Sequence, residues 1–318
     1  MYIVGLQGSP RKNSNTDILL SSLLDEAKNL GAGISKIEVA RKKIEPCREC
    51  GTCEKKGFCP IDDEMQQIYP LLRRADLVIM ATPIFFYGAT AQMKALIDRS
   101  QALWSRTYVY KLKDPGRKWR KGFLLAVGAT KGKNLFEGVN LTAKYFFDAV
   151  GASFDGTIGF KQVEESGAIE KHPTALKEVK EKAKELVSPF LKRKNILFMC
   201  RENACRSQMA GAFLRYSAGD KYDVVTAGSE PADEINSTMV SAMEEKGIDM
   251  AYIKPRSIDE ALENFKPDQI ITMGCGDACP FIPGASVEDW DLPDPAGKPI
   301  DFMRQVRDEN KKRVESFK

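Results

Sequence analysis

The chain has 318 residues, 43% of them hydrophobic and 29% charged, which is enough for two domains with separate cores. A net charge of +4 over that length argues against a nucleic-acid partner. No run approaches the roughly 20 apolar residues of a membrane helix, and the first apolar run is too short for a signal peptide, so a soluble cytoplasmic protein is expected.

In chain order, "MYIVGLQ" reads as a first buried strand, and a turn-rich stretch leads from it into the helical "TDILLSSLLDEAKNL". "SKIEVA", "ADLVIMATPIFF", "GFLLAVGAT" and "SFDGTIGF" read as further buried strands, with helical stretches such as "ATAQMKALIDRSQAL" between them. That alternation predicts a parallel sheet covered by helices on both faces. A charged helix, "TALKEVKEKAKELVSPFLKRK", follows, and the alternation restarts with "NILFMC". The expected division is an α/β domain over residues 1–192 and a second over 193–318.

The single histidine, His172, reads as a loop residue and leaves no basis for a histidine triad or a histidine-rich metal site. The eight cysteines instead fall in three groups: Cys47, Cys50, Cys53 and Cys59; Cys200 and Cys205; Cys275 and Cys279. Such clustering in a reduced compartment points to metal ligation or redox catalysis more than to structural disulfides.

After the first strand, "GSPRKNSNT" combines a tight-turn glycine, Gly8, with the hydroxyls of Ser9, Ser14 and Thr16 and the charge of Arg11. With the N–H groups of a helix start they make a phosphate cradle that is neither a GxGxxG nor a Walker loop. "ATPIFFYGATAQMKALIDR" adds aromatics at the carboxyl end of a buried strand, where open α/β sheets bind ligands. Together these stretches resemble the NADPH-dependent FMN reductase and iron–sulfur flavoprotein families, over roughly residues 1–160. The resemblance implies a flavodoxin-like fold holding FMN, with its phosphate on Ser9, Arg11, Ser14, Asn15 and Thr16. The ring would lie against Pro83, Ile84, Phe85, Phe86, Tyr87 and Gly88, closed over by "GATKG". It also implies a homo-oligomer, with NAD(P)H or ferredoxin as candidate electron donors.

"PCRECGTCEKKGFCPIDDEM" spaces its cysteines as Cys-x2-Cys-x2-Cys-x5-Cys. Three thiolates this close suit corners of one cubane cluster, whereas four-cysteine zinc sites usually use two separated pairs. The pattern resembles that of iron–sulfur flavoproteins, which implies a [4Fe–4S] centre on Cys47, Cys50, Cys53 and Cys59.

In "NILFMCRENACRSQMA" a strand ends at Cys200 and the loop runs into a helix. Helix-terminal N–H groups and the guanidinium of Arg206 favour a thiolate there, and the Arg206 fork matches a tetrahedral oxyanion. Asn203 shapes the loop, and Ser207 can donate to the Cys200 sulfur. Cys-x2-Asn-x2-Arg-Ser resembles low-molecular-weight tyrosine phosphatases and the arsenate reductases that share their fold, from about residue 194 to 300. The family position of Asp-Pro in "DWDLPDPAG" makes Asp294 the candidate general acid, with Asp289 and Asp291 as rivals.

Three features favour arsenate over phosphate ester as substrate. Phosphatases of this family usually read Arg-Ser-Pro where this chain reads Arg-Ser-Gln, and their acid loop usually continues with aromatics rather than "AG". A phosphatase needs one nucleophile, yet "ITMGCGDACPFIPG" ends a strand in two more cysteines, Cys275 and Cys279, which can serve as a disulfide relay. Their spacing is shorter than in thioredoxin-coupled members and looks like that of a subgroup that uses a small thiol. Cys205 is an alternative partner for Cys200 under oxidation. The expectation is an arsenate reductase with a built-in flavin electron supply. The alternatives are a tyrosine phosphatase fused to an FMN-dependent quinone or NAD(P)H reductase, and a redox-sensing module.

Overall fold

The structure, a computed structural model, describes residues 1–274 and 282–317. Two compact units form, one from Met1–Lys111 with Arg117–Leu191, the other from Leu112–Gly116 with Lys192–Lys318.

In the first unit the order is β1 (Tyr2–Gln7), α1 (Asn15–Asn29), β2 (Gly33–Glu38), α2 (Thr52–Lys56), α3 (Met65–Arg74), β3 (Leu77–Pro83), α4 (Ala91–Arg99), α5 (Gln101–Tyr108), β4 (Lys121–Gly128), α6 (Glu137–Ala149), β5 (Ser153–Lys161) and α7 (Ala175–Val187). The five strands are parallel in the order β2-β1-β3-β4-β5. The order reverses between β1 and β3, so their carboxyl ends border the crevice where such sheets bind ligands. Leu19, Leu20, Leu23 and Leu24 of α1 and Val179, Ala183 and Leu186 of α7 are buried with Leu77, Ile79 and Leu125 of the sheet. That burial uses one stripe of each helix, as a 3.6-residue period dictates.

Three local features differ from the sequence expectation. "SKIEVA" falls largely on β2, an edge strand that is mostly half-exposed and not buried. "SFDGTIGF" is an edge strand, mostly half-exposed, and not a buried one. "ATAQMKALIDRSQAL" breaks into α4 and α5 at Ser100, whose hydroxyl donates to the Leu96 carbonyl at 3.0 Å. A serine bonded back to its own helix bends or ends it.

The second unit comprises β6 (Lys194–Cys200), α8 (Arg206–Ala218), β7 (Tyr222–Gly228), α9 (Ser237–Glu244), α10 (Ile258–Leu262), β8 (Gln269–Thr272), β9 (Ser286–Asp289) and α11 (Ile300–Val314). Its strands are parallel in the order β7-β6-β8-β9. Phe198, Met209, Leu214, Met239, Met243 and Met303 are among the residues of its core.

Glu245, at the end of α9, accepts from Arg304 of α11 at 2.9 Å and pairs with Arg307 at 2.9 Å. The Arg304 hydrogen bonds chiefly, with Arg307 adding against a small burial penalty, hold its carboxyl down at about 2, against an ordinary value of 4.5. The folded value lies below the unfolded one, so this link stabilises the unit above pH 4.5 and is lost as pH falls toward 2. Glu245→Gln should therefore lower the urea midpoint at pH 7, and the difference from the wild type should shrink steadily below pH 4.5. A constant difference from pH 7 to pH 3 would contradict the assignment.

Candidate functional site

At the carboxyl end of β1, Thr90 Oγ1 donates to the Gly8 carbonyl at 2.7 Å and pins the turn. A Cβ on Gly8 would lie 2.8 Å from the Met93 side chain and 3.2 Å from the Ala81 carbonyl, so the close approach requires glycine. Ser14 caps α1, accepting from the Asp17 N–H at 3.2 Å. Gln7, buried beside it, accepts the Ser9 N–H and donates to Ser14 Oγ at 3.3 Å. A pocket of about 140 Å³ brings Ser9, Arg11, Ser14, Asn15 and Thr16 together with Pro83, Ile84 and Phe85. Ala129 of the "GATKG" segment and Val163, Glu164 and Ser166 complete its wall.

Three expected ring contacts lie outside that lining. Phe85 and Gly88 exchange backbone hydrogen bonds of 3.0 and 2.9 Å across a two-residue turn, with Phe86 and Tyr87 at φ 48° and 63°. Both sit in the left-handed region, an outlier for aromatic residues, and Phe86 is fully exposed. Tyr87 reaches the loop after β4, where a Cβ on Gly132 would stand 3.0 Å from its hydroxyl. The Asn15 side chain is also committed elsewhere: it donates to the Glu165 carbonyl at 2.8 Å and accepts from Ile169 N–H at 3.1 Å. The second hydrogen of its amide and its backbone N–H, at the start of α1, are left for a phosphate.

These residues fit the phosphate end of FMN: hydroxyls, a guanidinium and a helix N-terminus converge on one pocket. At about 140 Å³ the pocket is smaller than those that enclose drug-sized ligands, so FMN would be only partly enclosed by it.

Cys47, Cys50, Cys53 and Cys59 line one larger cleft of about 860 Å³, with Trp104, Tyr145 and Phe146 on its other wall. Among the described residues no three His, Cys, Asp or Glu side chains stand close enough to hold one metal ion. Four thiols lining one cleft are the donor set that an iron–sulfur cluster takes. Hydrogen bonds with Thr52 hold the exposed Cys50 thiol below its ordinary value.

The cysteine loop is clamped by a residue that sequence reasoning did not single out. Arg99, fully buried, donates from Nη1 to the Glu45 carbonyl at 2.9 Å and from Nη2 to the Ile61 carbonyl at 3.2 Å, tying both flanks of the loop. Its Nη1 also meets Asp63 Oδ2 at 2.6 Å. Burial opposes ionisation of Asp63, but bonds from Arg99 and from the Glu45 and Met65 N–H groups outweigh it and hold the carboxyl below its usual value. Gln66 adds donations to the Cys59 and Ile61 carbonyls at 3.0 and 2.7 Å.

In the second unit Cys200 ends β6, 2% exposed, with its Sγ 3.1 Å from Ser207 Oγ. Asn203 Nδ2 donates to that oxygen at 2.8 Å, which leaves the Ser207 hydrogen free for the sulfur. Asn203 holds φ 51°, and a Cβ on Gly228 would come within 2.7 Å of the Arg201 carbonyl and 2.9 Å of the Asn203 nitrogen. The loop carbonyls are all bound from outside. Ser229, Glu230, Ala232 and Asn236 donate backbone N–H groups to the carbonyls of Cys200, Arg201, Glu202 and Ala204, and Gln208 Nε2 donates to that of Asn203. Because C=O and the next N–H of a peptide point opposite ways, the N–H groups of residues 201–205 turn inward as an anion nest.

Arg206 donates to the Leu292 carbonyl at 3.0 Å and pairs with Asp294 at 3.1 Å. Of the three rival acids, Asp294 is thus the one beside the Arg206 fork; Asp289 accepts from Thr272 Oγ1 at 2.6 Å instead. Burial first, then the neighbouring Cys200, Asp294 and Glu202, push the Cys205 thiol up to about 12, which keeps it protonated at neutral pH. Cys275 and Cys279 lie outside the described residues.

A phosphate-cradle unit beside a cysteine cleft, followed by a Cys-Arg oxyanion loop, defines a flavoprotein-type domain joined to a phosphatase-type domain. Residues 1–154 match the family model of NADPH-dependent FMN reductase, and residues 195–318 that of low molecular weight phosphotyrosine protein phosphatase. An iron-sulfur flavoprotein of Methanosarcina thermophila is 36% identical over 131 residues, covering 41% of this chain and 65% of that protein. Another, from Archaeoglobus fulgidus, is 34% identical over 163 residues, covering 49% and 80%. Arsenate reductase 2 of Staphylococcus haemolyticus is 40% identical over 130 residues, covering 40% and 97%. The chain spans 65%, 45% and 53% of the first flavoproteins that it matches. The chain therefore belongs to the iron–sulfur flavoprotein family in its first part and, in its second, to the low molecular weight phosphotyrosine protein phosphatase family in its arsenate reductase branch. Among the described residues no helix is long and apolar enough to cross a membrane.

Proposed function

We propose that this chain is an arsenate reductase whose second unit carries the chemistry and whose first unit supplies electrons. The observation that supports it most is the loop behind Cys200, with its carbonyls held outward, Ser207 poised on the sulfur and Arg206 beside Asp294.

Arsenate enters the nest of N–H groups and the Arg206 fork. The Cys200 thiolate attacks arsenic, and one As–O bond breaks as Asp294 gives a proton to the departing oxygen, which leaves as water. A second thiolate, that of Cys275 or of a small thiol, then attacks the Cys200 sulfur. The S–As bond breaks with its electron pair left on arsenic, so arsenite departs and a disulfide remains, two electrons having come from the two sulfurs. Cys279 then takes over the disulfide by thiol exchange. Cys205, held protonated, stays out of the exchange at neutral pH.

Returning the disulfide to thiols takes two electrons and two protons. Ser9, Arg11, Ser14, Thr16 and the Asn15 backbone N–H would hold the FMN phosphate, and Pro83–Phe85 the adjoining edge; Cys47, Cys50, Cys53 and Cys59 would hold a [4Fe–4S] cluster. When bound, FMN accepts hydride and passes electrons singly, and the cluster moves one at a time. NAD(P)H, ferredoxin, thioredoxin or a small thiol is the outside donor.

Turnover of arsenate against p-nitrophenyl phosphate tests this reading. Anaerobic full-length protein with a reductant should release arsenite in steady state and hydrolyse the ester far more slowly. The reverse preference would make the second unit a phosphatase.

A further inference from the structure

We propose that Gln208 is a positioning residue for oxyanion binding: by binding the Asn203 carbonyl it turns the Asn203–Ala204 peptide so that the Ala204 N–H faces the anion. The proposal rests on reading the Cys200 loop as an oxyanion site, and it deepens that reading.

Five successive carbonyls, those of residues 200–204, are bound from outside the loop. Four are bound by backbone N–H groups of residues 229–236, which most side chains would leave unchanged. The fifth, at Asn203, depends on a side chain. Gln208 is 4% exposed, and its Nε2 donates to Asn203 O and to Asn203 Oδ1, both at 3.0 Å, spending both amide hydrogens. Asn203 Oδ1 also accepts the Arg256 N–H at 3.1 Å, and Asn203 Nδ2 donates to Ser207 Oγ, which contacts the Cys200 sulfur. One glutamine thus holds the left-handed Asn203, orients its amide, and through it sets the hydroxyl that faces the nucleophile.

The position matters as much as the residue. Gln208 is the third residue of α8, from which a side chain commonly reaches back to the residue capping the helix. Here it passes Cys205, which makes no side-chain cap, and binds two residues further back. Proline at this place would supply no donor at all, and asparagine would be one methylene short. The Arg-Ser-Gln sequence therefore has a physical consequence at the anion site itself.

Two near-isosteric variants separate positioning from bulk. Gln208→Met keeps the volume and removes both donors; Gln208→Glu has no donor when ionised and one O–H donor when protonated, a state that burial favours. The charged and titratable groups around the loop include Cys200 itself, Arg206 with Asp294, Cys205, Glu202, Arg256 and the Arg201–Glu230 pair. They are common to all the proteins, so each dissociation constant is taken as a ratio to the wild type at the same pH.

The probe is inorganic phosphate, titrated calorimetrically into the full-length chain at pH 8 and pH 5.5, with thermal melts to show that each variant is folded. Gln208→Met should bind phosphate about 10-fold more weakly at both values, the effect of two hydrogen bonds of about 0.7 kcal/mol each. Gln208→Glu should lose more than Gln208→Met at pH 8, where its carboxylate also repels the anion, and regain most of that loss at pH 5.5. Wild-type affinity in both variants, or a Gln208→Glu ratio that does not change with pH, would overturn the proposal. If Gln208→Glu does not fold, wild-type affinity in folded Gln208→Met overturns it alone. A wild-type protein that binds phosphate but reduces no arsenate refutes the reductase reading and leaves the role of Gln208 standing. One that binds no phosphate removes both.

Discussion

Cys200→Ser protein should reduce arsenate at the background rate, a loss of about 10⁴-fold or more, while its flavin is still reduced by an external donor. The size follows from the chemistry. A serine hydroxyl in the same place has no base beside it in the described structure: Ser207 is a hydroxyl, Arg206 is cationic, and Asp294 is paired to Arg206. A sulfur nucleophile needs no such base once ionised, because a thiolate is intrinsically far more nucleophilic than a hydroxyl. The serine hydroxyl can still bond Ser207, so the loop should stay folded and phosphate should still bind. Retained arsenate turnover would place the nucleophile elsewhere.

Arg99→Met should destabilise the first unit by about 3–5 kcal/mol, because it leaves Asp63 buried and charged without its partner. It should also free the Glu45 and Ile61 carbonyls that flank the cysteine loop. The expected readouts are a melting transition lowered by about 10 °C, faster reaction of the four cysteines with a thiol reagent, and little iron after anaerobic reconstitution. Adding Asp63→Leu should recover much of the stability by removing the orphaned charge, but not the loop's anchoring. An unchanged melting point with normal iron uptake would show that the clamp is dispensable.

Both effects concern residues whose legibility in the sequence differed for physical reasons. Cys200, Arg206 and Ser207 lie within one short loop, so spacing alone brings them together. Ser9, Arg11, Ser14 and Thr16 are similarly local, and they do share one pocket with Pro83–Phe85. Arg99 acts on residues 36 and 54 positions away, and no local pattern reveals that. The resemblance places Asn15 at the phosphate, and no local pattern reveals that its side chain also bonds a loop 150 residues on. Phe86 and Tyr87, implied as ring contacts by the resemblance, stand on a two-residue turn with the first in solvent, a placement that local sequence does not reveal.

The sheets show the same division. β1, β3, β4 and β6 are apolar runs buried on both faces, which is the strand signal most easily read. β9, "SVED", is exposed at all four positions and carries no apolar alternation to reveal it. β5 has the composition of a buried strand but lies at the edge, a matter of strand order that local sequence does not encode. Asp294, favoured over Asp289 and Asp291 by the family position of its Asp-Pro, pairs with Arg206 where the chain after β9 returns to it, a contact that local sequence does not encode.

In the proposed mechanism electrons from the first unit reach arsenate through Cys200. Stopped-flow mixing of anaerobic, prereduced full-length protein with arsenate, following flavin absorbance, is the decisive experiment. The flavin should reoxidise when arsenate is added to the wild type and stay reduced in Cys200→Ser. Flavin that stays reduced in the wild type, while added thiols still drive arsenite release, would rule out this route and leave two independent activities on one chain.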